Sequence, residues 1–344
     1  TTRCMPTTRR KPPPRRPAHQ SRLLPRVLAG LIVLAGVCTA LVFTFRSGIG
    51  PIPDAEECTV EIEGTEVALS TEQAENAALI AGIAMGRGLP ARAVSIALAT
   101  AYQESKLVNI DYGDRDSLGL FQQRPSMGWG TREQVMDPVY ATNTFYDALI
   151  KVPGYREMRI TEAAQAVQRS GFPEAYEDHA ADARALASAL TGYHPAQFSC
   201  VVRHGGTDPV SAELDEQGLT SRAAAVRAEI DAVFGKQAMG GFEPGGVSTG
   251  HMEGSAHYDG RAVDVFFRPI NAANKRRGWA LAHYLVAQAD RLHIQTVIFD
   301  DRIWTAGRRS EQGWRDYRVD TSGRDRRTAA ILEHRDHVHV DVIP

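Results

Sequence analysis

Nineteen consecutive residues without a charge or a proline, VLAGLIVLAGVCTALVFTF between Arg26 and Arg46, constrain this chain more than any other stretch. At about 1.5 Å per residue the run spans most of a roughly 30 Å hydrocarbon core. A buried core helix of that length would keep some polar face. A cleaved signal peptide would carry a shorter basic region and a small-residue cleavage site, and a lipid anchor at Cys38 would need a small residue where Val37 stands. The expected reading is one transmembrane helix at 27–45. The basic, Pro/Arg-rich tail 1–26 is then cytoplasmic and unable to fold alone, and everything after Arg46 is extracytoplasmic.

Charge divides at the same place. The 344 residues include 39 Lys+Arg and 41 Asp+Glu, a formal net charge of −2. Nine of the basic residues and none of the acidic ones lie in 1–46, which leaves 30 against 41, a net of −11, for 47–344. With 43% hydrophobic and 23% charged residues, the whole chain is neither a disordered tail, nor a polybasic nucleic-acid binder, nor a multispanning transporter. Cys4 and Cys38 fall in the tail and the apolar run, so Cys58 and Cys200 are the pair left outside. In an oxidising compartment they can form a disulfide closing residues 59–199, which stabilises by about 4 kcal/mol in the chain-entropy model.

Residues 46–70 read as a linker with room for a small strand pair, and helical periodicity begins near Thr71. Gly86 and Gly88 suit the end of that helix and Pro90 the start of the next, ARAVSIALATAYQESK. On the second helix Glu104 follows Ala101, Thr100 and Ala97 by three, four and seven residues, so small side chains line its edge. A carboxyl so placed is partly desolvated and can hold a proton near neutral pH, which glycosidic cleavage requires of a general acid. Fifteen residues on comes Gly119-Leu120-Phe121-Gln122, with Pro125 beyond it. Glu104-Ser105 and this loop resemble the lysozyme-like lytic transglycosylases over about 72–192. The resemblance implies a mainly helical domain at 71–200, Glu104 as the single catalytic acid/base, and Ser105 and Gln122 beside the bound sugar. The family's Ala-Tyr-Asn-Ala-Gly segment is altered to Ala166-Val167-Gln168-Arg169-Ser170-Gly171. Asp111, Asp114 and Asp116 lie between the motifs, where one of them could position water and turn a transglycosylase into a hydrolase.

Turn residues cluster at 201–217, a second linker, before an Ala-rich helix near 219–234. Two histidine motifs follow: Ser255-Ala-His257-Tyr-Asp-Gly260-Arg-Ala262-Val-Asp264, and Asp336-His337-Val-His339-Val-Asp341. In the second, Val338, Val340 and Val342 alternate with His337, His339 and Asp341, so one strand face is core and the other presents both imidazoles. Two His and an Asp on one pocket suit zinc with a coordination position left for water. Together the motifs resemble zinc peptidases of the D-alanyl-D-alanine carboxypeptidase and Hedgehog-like fold over about 203–344. That resemblance implies an α+β domain at 218–344 with metal ligands His257, Asp264 and His339. It also implies Asp336 as general base, Glu333 as its nearby substitute, and His337 polarising the scissile carbonyl. The Arg that related peptidases carry before the first ligand is absent from 237–256, and His251 reads as an exposed loop residue rather than a rival ligand.

The expected architecture is therefore multidomain: an N-terminal transmembrane helix, a mainly-α lysozyme-like domain and an α+β zinc-peptidase-like domain. The expected function is membrane-anchored, extracytoplasmic remodelling of peptidoglycan. The alternative is a surface scaffold that binds peptidoglycan without cutting it and keeps a structural or vestigial metal site.

Overall fold

A computed structural model describes residues 56–204 and 211–344. The transmembrane helix expected at 27–45 lies outside the described residues, and among these no helix is long and apolar enough to cross a membrane. The chain enters as a hairpin, β1 (Glu57–Ile62) and β2 (Thr65–Ser70). Its two-residue turn, Glu63-Gly64, has positive φ at both positions (52° and 81°), which matches the twist of the flanking strands. Cys58, Val60 and Ile62 alternate inward along β1. The short β3 (Phe198–Cys200) returns on its other side to give the order β2-β1-β3. Cys58 pairs with Cys200 in register, and the two form a disulfide.

Helix α1 (Thr71–Gly86) starts in a capping box one residue before the expected Thr71: the Ser70 hydroxyl accepts from the Gln73 N–H at 3.3 Å, and the Gln73 side chain accepts from the Ser70 N–H at 2.9 Å. Helix α2 (Ala91–Ser105) follows and ends at Lys106 in the left-handed region. Short α3 (Arg132–Met136), α4 (Pro138–Leu149), α5 (Ile160–Gln168) and α6 (Ala180–Leu190) pack around them.

The second half is built on a six-stranded antiparallel sheet in the order β4-β5-β9-β6-β7-β8. Its strands are β4 (Met239–Gly240), β5 (Ala262–Phe266), β6 (Ile294–Phe299), β7 (Arg302–Thr305), β8 (Arg315–Asp316) and β9 (His337–Val342). Helices α7 (Ser221–Phe234) and α8 (Ala272–Ala287) pack against the central strands. The short α9 (Arg326–Leu332) precedes β9. Val263, Val265, Val338, Val340 and Val342 face the core, so the other face of the β5–β9 pair is free to carry polar groups.

The multidomain expectation is not met. Residues 55–344 form one compact unit with two sheets in a mixed α/β arrangement, and one contiguous apolar core runs through both halves. The half expected to be mainly helical contributes a sheet of its own. Buried and half-buried hydrogen bonds cross the expected boundary: the Trp304 indole donates to the Cys200 carbonyl (3.1 Å), the Trp314 indole to the Phe198 carbonyl (2.8 Å), and the Gln288 amide to the Glu75 carbonyl (2.9 Å). The fit is close enough to need glycine. Gly192 ends α6 with φ +77°, and a Cβ there would come within 1.9 Å of the Arg276 carbonyl oxygen on α8.

A shared core makes unfolding cooperative across both halves. Gly192→Ala is expected to cost about 2 kcal/mol or more, from the left-handed backbone and the clash together. In hydrogen exchange followed through a denaturant series, amides of α2 and of β9 should lose protection at one shared, lowered midpoint; separate midpoints would show independent domains.

Candidate functional sites

Two clefts carry the chemistry. The first, about 780 Å³, is lined by Glu104 at the end of α2, Gln122, Trp129, Lys151 and Gln168 among others. Two side chains hold the Glu104 carboxylate by the same oxygen. The Tyr176 hydroxyl donates to Oε1 at 2.7 Å and the Gln168 amide at 3.2 Å, while the same Gln168 nitrogen also donates to the Phe121 carbonyl at 2.7 Å. Ala97, Thr100 and Ala101 beside Glu104 are all buried. Burial pushes the Glu104 carboxyl above the ordinary glutamate range, against the lowering effect of the two hydrogen bonds. With Oε1 accepting both donors, Oε2 is the oxygen left free to take a proton. Burial and the neighbouring carboxylate push the Tyr176 phenol up, so it stays a donor.

Gln168 is thus where the altered segment meets the acid. Tyr176, in the 3-10 turn Ala175–His179 before α6, is a contact that sequence reading missed, because nothing local marks a tyrosine that reaches back 72 positions. Ser105 does not line the cleft. It is buried, and its hydroxyl donates to the Leu120 carbonyl at 2.8 Å, which pins the Gly119–Gln122 loop onto α2. Gln122 does line it, with its amide donating to the Tyr112 carbonyl at 3.2 Å. Of the three intervening aspartates, Asp114 alone is on the cleft wall. Asp116 is tied to Arg124 at 2.7 Å and to the Ser126 N–H at 2.8 Å, bonds that hold its carboxyl well below the usual range.

The second cleft, about 680 Å³, opens on the polar face of β5 and β9. Asp264 and His339 are directly opposed in the register of these strands, which puts their side chains on one face as neighbours. His257 comes from the 3-10 turn Ala256–Asp259. Ser255 caps that turn and Gly260 ends it with φ +65°, where a Cβ would come within 2.6 Å of the Gly218 carbonyl oxygen. The spacing Ser-x-His-x-x-Gly-x-Ala-x-Asp is therefore a cap, a buried histidine, a turn stop and a strand in sequence.

The donor atoms converge. His257 Nε2 lies 3.1 Å from His339 Nδ1 and 3.3 Å from Asp264 Oδ1, and His339 Nδ1 lies 3.1 Å from Asp264 Oδ1. His257 Nδ1 is 2.7 Å from the Gly241 carbonyl oxygen, which can only accept, so Nδ1 holds the proton and Nε2 faces inward with its lone pair. His339 has a carboxylate at each ring nitrogen, Asp264 at Nδ1 and Asp341 at Nε2 (3.2 Å); burial works to lower its pKa, but the two carboxylates outweigh that and push it up to about 9. Donor atoms this close need a positive charge among them, which either a proton on His339 or a metal ion supplies. Donors at about 2.0–2.1 Å from a tetrahedral ion stand about 3.3 Å from one another, so these residues fit a divalent metal. Gly241 is required here: it has φ +79°, and a Cβ would fall 2.3 Å from the His257 ring.

His251 is not an exposed loop residue. Its ring stacks on His257 with centroids 3.9 Å apart, and the donor atoms of His251, His257 and Asp264 lie within 4.8 Å of one another. His337 lines the cleft with Nε2 3.9 Å from Asp264 Oδ1, and its Nδ1 is 2.7 Å from Asp336 Oδ1. Asp336 is not the free base expected. It is buried beneath His337 with its second oxygen accepting from Arg268 Nε at 2.6 Å. Burial works to raise it, but His337 and Arg268 outweigh that and hold its carboxyl low, so its place is to orient His337. Glu333 is no substitute, since Arg335 takes it at 2.6 Å. Sequence reading also missed His334, which burial pushes down to about 3 and which lies on the cleft wall against His337. Arg261 and Arg268 follow the first ligand, not precede it, and both line this cleft.

Residues 215–330, about a third of the chain, match the family described as VldE, C-terminal domain. The matched span includes His257 and Asp264 and ends before His337 and His339. No curated protein matches the chain.

The raised Glu104 carboxyl has a consequence for stability. Its folded pKa exceeds its unfolded one, so the folded state binds the proton more tightly, and the group's contribution is greatest below the unfolded value and falls as pH rises through the folded one. Glu104→Gln, which keeps an acceptor for Tyr176 and Gln168, is expected to melt with wild type near pH 4 and above it at pH 8. Equal melting temperatures at both pH values would contradict the desolvated carboxyl.

Proposed function

We propose that this protein is an extracytoplasmic peptidoglycan-remodelling enzyme that cuts glycan strands with Glu104 and peptides at a metal site. The observation that carries the first part is a carboxyl raised by burial at the end of a cleft large enough for sugar rings, with one oxygen held and one left to the substrate. In this reading Glu104 gives its proton to the glycosidic oxygen as the C–O bond breaks. The resulting carboxylate then takes a proton either from the sugar's own C6 hydroxyl, closing an anhydro ring, or from water. Asp114 is the aspartate placed to guide that water. Trp129 and Met127 on the cleft wall offer surfaces on which sugar faces can rest.

In the second cleft His257, Asp264 and His339 would hold zinc, since imidazole and carboxylate donors suit that ion. When bound, zinc supplies Lewis-acid chemistry toward a peptide carbonyl. His337, oriented through Nδ1 by Asp336, turns Nε2 toward Asp264 and the cleft, where it would meet the scissile carbonyl. The disulfide supports an oxidising compartment outside the cytoplasm. The two resemblances name the same polymer, which is the reason for choosing peptidoglycan as substrate and partner. A second reading, a structural metal site on a wall-binding scaffold, is favoured by one feature: His251 joins His257 and Asp264 in a group whose donor atoms lie within 4.8 Å of one another.

Glu104→Gln should lower muropeptide release from purified peptidoglycan at least about 100-fold, and His339→Ala should abolish peptide cleavage while leaving glycan cleavage intact. Mass spectrometry of the products reads both. Undiminished release in each variant would leave the scaffold reading standing.

A further inference from the structure

The first cleft is lined with cations in a chain that is acidic overall. Residues 47–344 carry a net charge of −11, yet the wall of this cleft holds Arg115, Arg124, Lys151 and Arg169 against Glu104 and Asp114. Arg124 is engaged by Asp116 at 2.7 Å and donates to the Ser126 hydroxyl at 3.2 Å. Arg115 lies 3.9 Å from Asp114, with both side chains well exposed. Lys151 and Arg169 differ from these two. Both are exposed, and among the described residues neither side chain makes a hydrogen bond or an ion pair.

Each of the two follows the C-terminus of a helix: Lys151 comes just after α4, and Arg169 is the residue that ends α5. The helix macrodipole favours a cation at such an end, so the fold keeps both charges without giving either a carboxylate partner. The backbone at Arg169 is left-handed, with φ 53° and ψ 42°. Helices commonly end in glycine at such a residue, because a Cβ is strained there. A long cationic side chain at a position better suited to glycine points to a use for that side chain. The acid itself is left alone. Burial raises the Glu104 carboxyl against the Tyr176 and Gln168 hydrogen bonds, and no cation contributes. A cation beside it would favour the carboxylate and remove the proton that a general acid must give.

We propose that the first cleft selects a glycan bearing anionic substituents, carboxylate or phosphate, and that Lys151 and Arg169 are the residues that hold them. This rests on the reading of that cleft as the glycan site and names the kind of glycan it takes. A neutral sugar chain offers two unpaired cations nothing to bind. An anionic substituent does: the Arg169 guanidinium presents a planar fork to two oxygens, and the Lys151 ammonium a mobile point charge. The acidic surface elsewhere repels such a polymer, so attraction is confined to the cleft and guides the strand into it.

Binding tests this, measured on the full-length chain carrying Glu104→Gln so that the ligand stays whole. The ligands are soluble peptidoglycan strands as isolated, the same strands with their carboxylates amidated, the same strands freed of phosphodiester-linked groups by hydrofluoric acid, and a neutral N-acetylglucosamine oligomer. The isolated strands should bind at least about tenfold more tightly than the oligomer, and Lys151→Gln with Arg169→Gln together should erase most of that preference. Its loss on amidation assigns carboxylate as the anion, and its loss on acid treatment assigns phosphate. Loss on neither overturns the proposal, as does a preference that survives both substitutions. Arg169→Gly suits the left-handed backbone and should melt at or above the parent temperature while weakening the preference; melting below it makes Arg169 a support of the fold and overturns its assignment. Cutting is read separately on the wild type. Strands bound with the expected preference but never cut contradict the glycosidase reading alone, and strands cut without any preference contradict this proposal alone.

Discussion

Close packing of α1 between the two halves is the constraint on which the rest depends. Its sequence, TEQAENAALIAGIAMG, is apolar and small on almost every side, and a helix of that kind must be surrounded. On one side it meets α2 and α4, where the Tyr146 hydroxyl donates to the Ile80 carbonyl at 3.0 Å. On the other it meets α7 and α8, so closely that a Cβ on Gly82 would come within 2.6 Å of Val233, and one on Gly86 within 2.4 Å of the Val233 carbonyl oxygen. Removing either half would expose a long apolar face to water, at roughly 25 cal/mol per Å². The halves hold one another.

Local signals in the sequence carried far. The hairpin, Pro90 before α2 and the alternation of β9 all depend on neighbours within a few residues, and each has its counterpart in the fold. The separation into two domains failed for a physical reason. Turn-rich residues near 201–217 mark a break in secondary structure, but a break in secondary structure is not a break in the core. An Ala-rich helix such as α1 or α8 shows the same pattern whether it is covered by one domain or by two halves of one.

The sites divide in the same way. Glu104, His257, Asp264 and His339 are placed in clefts, as their short spacings in the sequence suggest. Tyr176, Gly241, His251 and His334 carry no such signal, because their roles arise from contacts across the fold. Ser105 and Asp336 show the complementary error: the residue type fits the chemistry, but each hydroxyl or carboxylate is already engaged, one by the Leu120 carbonyl and the other by His337 and Arg268. Electrostatics also separates the two clefts. In the first, one carboxyl is raised by being removed from water, whereas in the second, two imidazoles and a carboxylate crowd together around a shared positive charge, a proton on His339 or a metal ion.

The shared core gives the pair of clefts a property that neither has alone. Linked domains sample a range of separations, whereas two clefts set in one core are held at one spacing. A polymer long enough to enter both would meet them at that spacing, and a shorter one would meet only one.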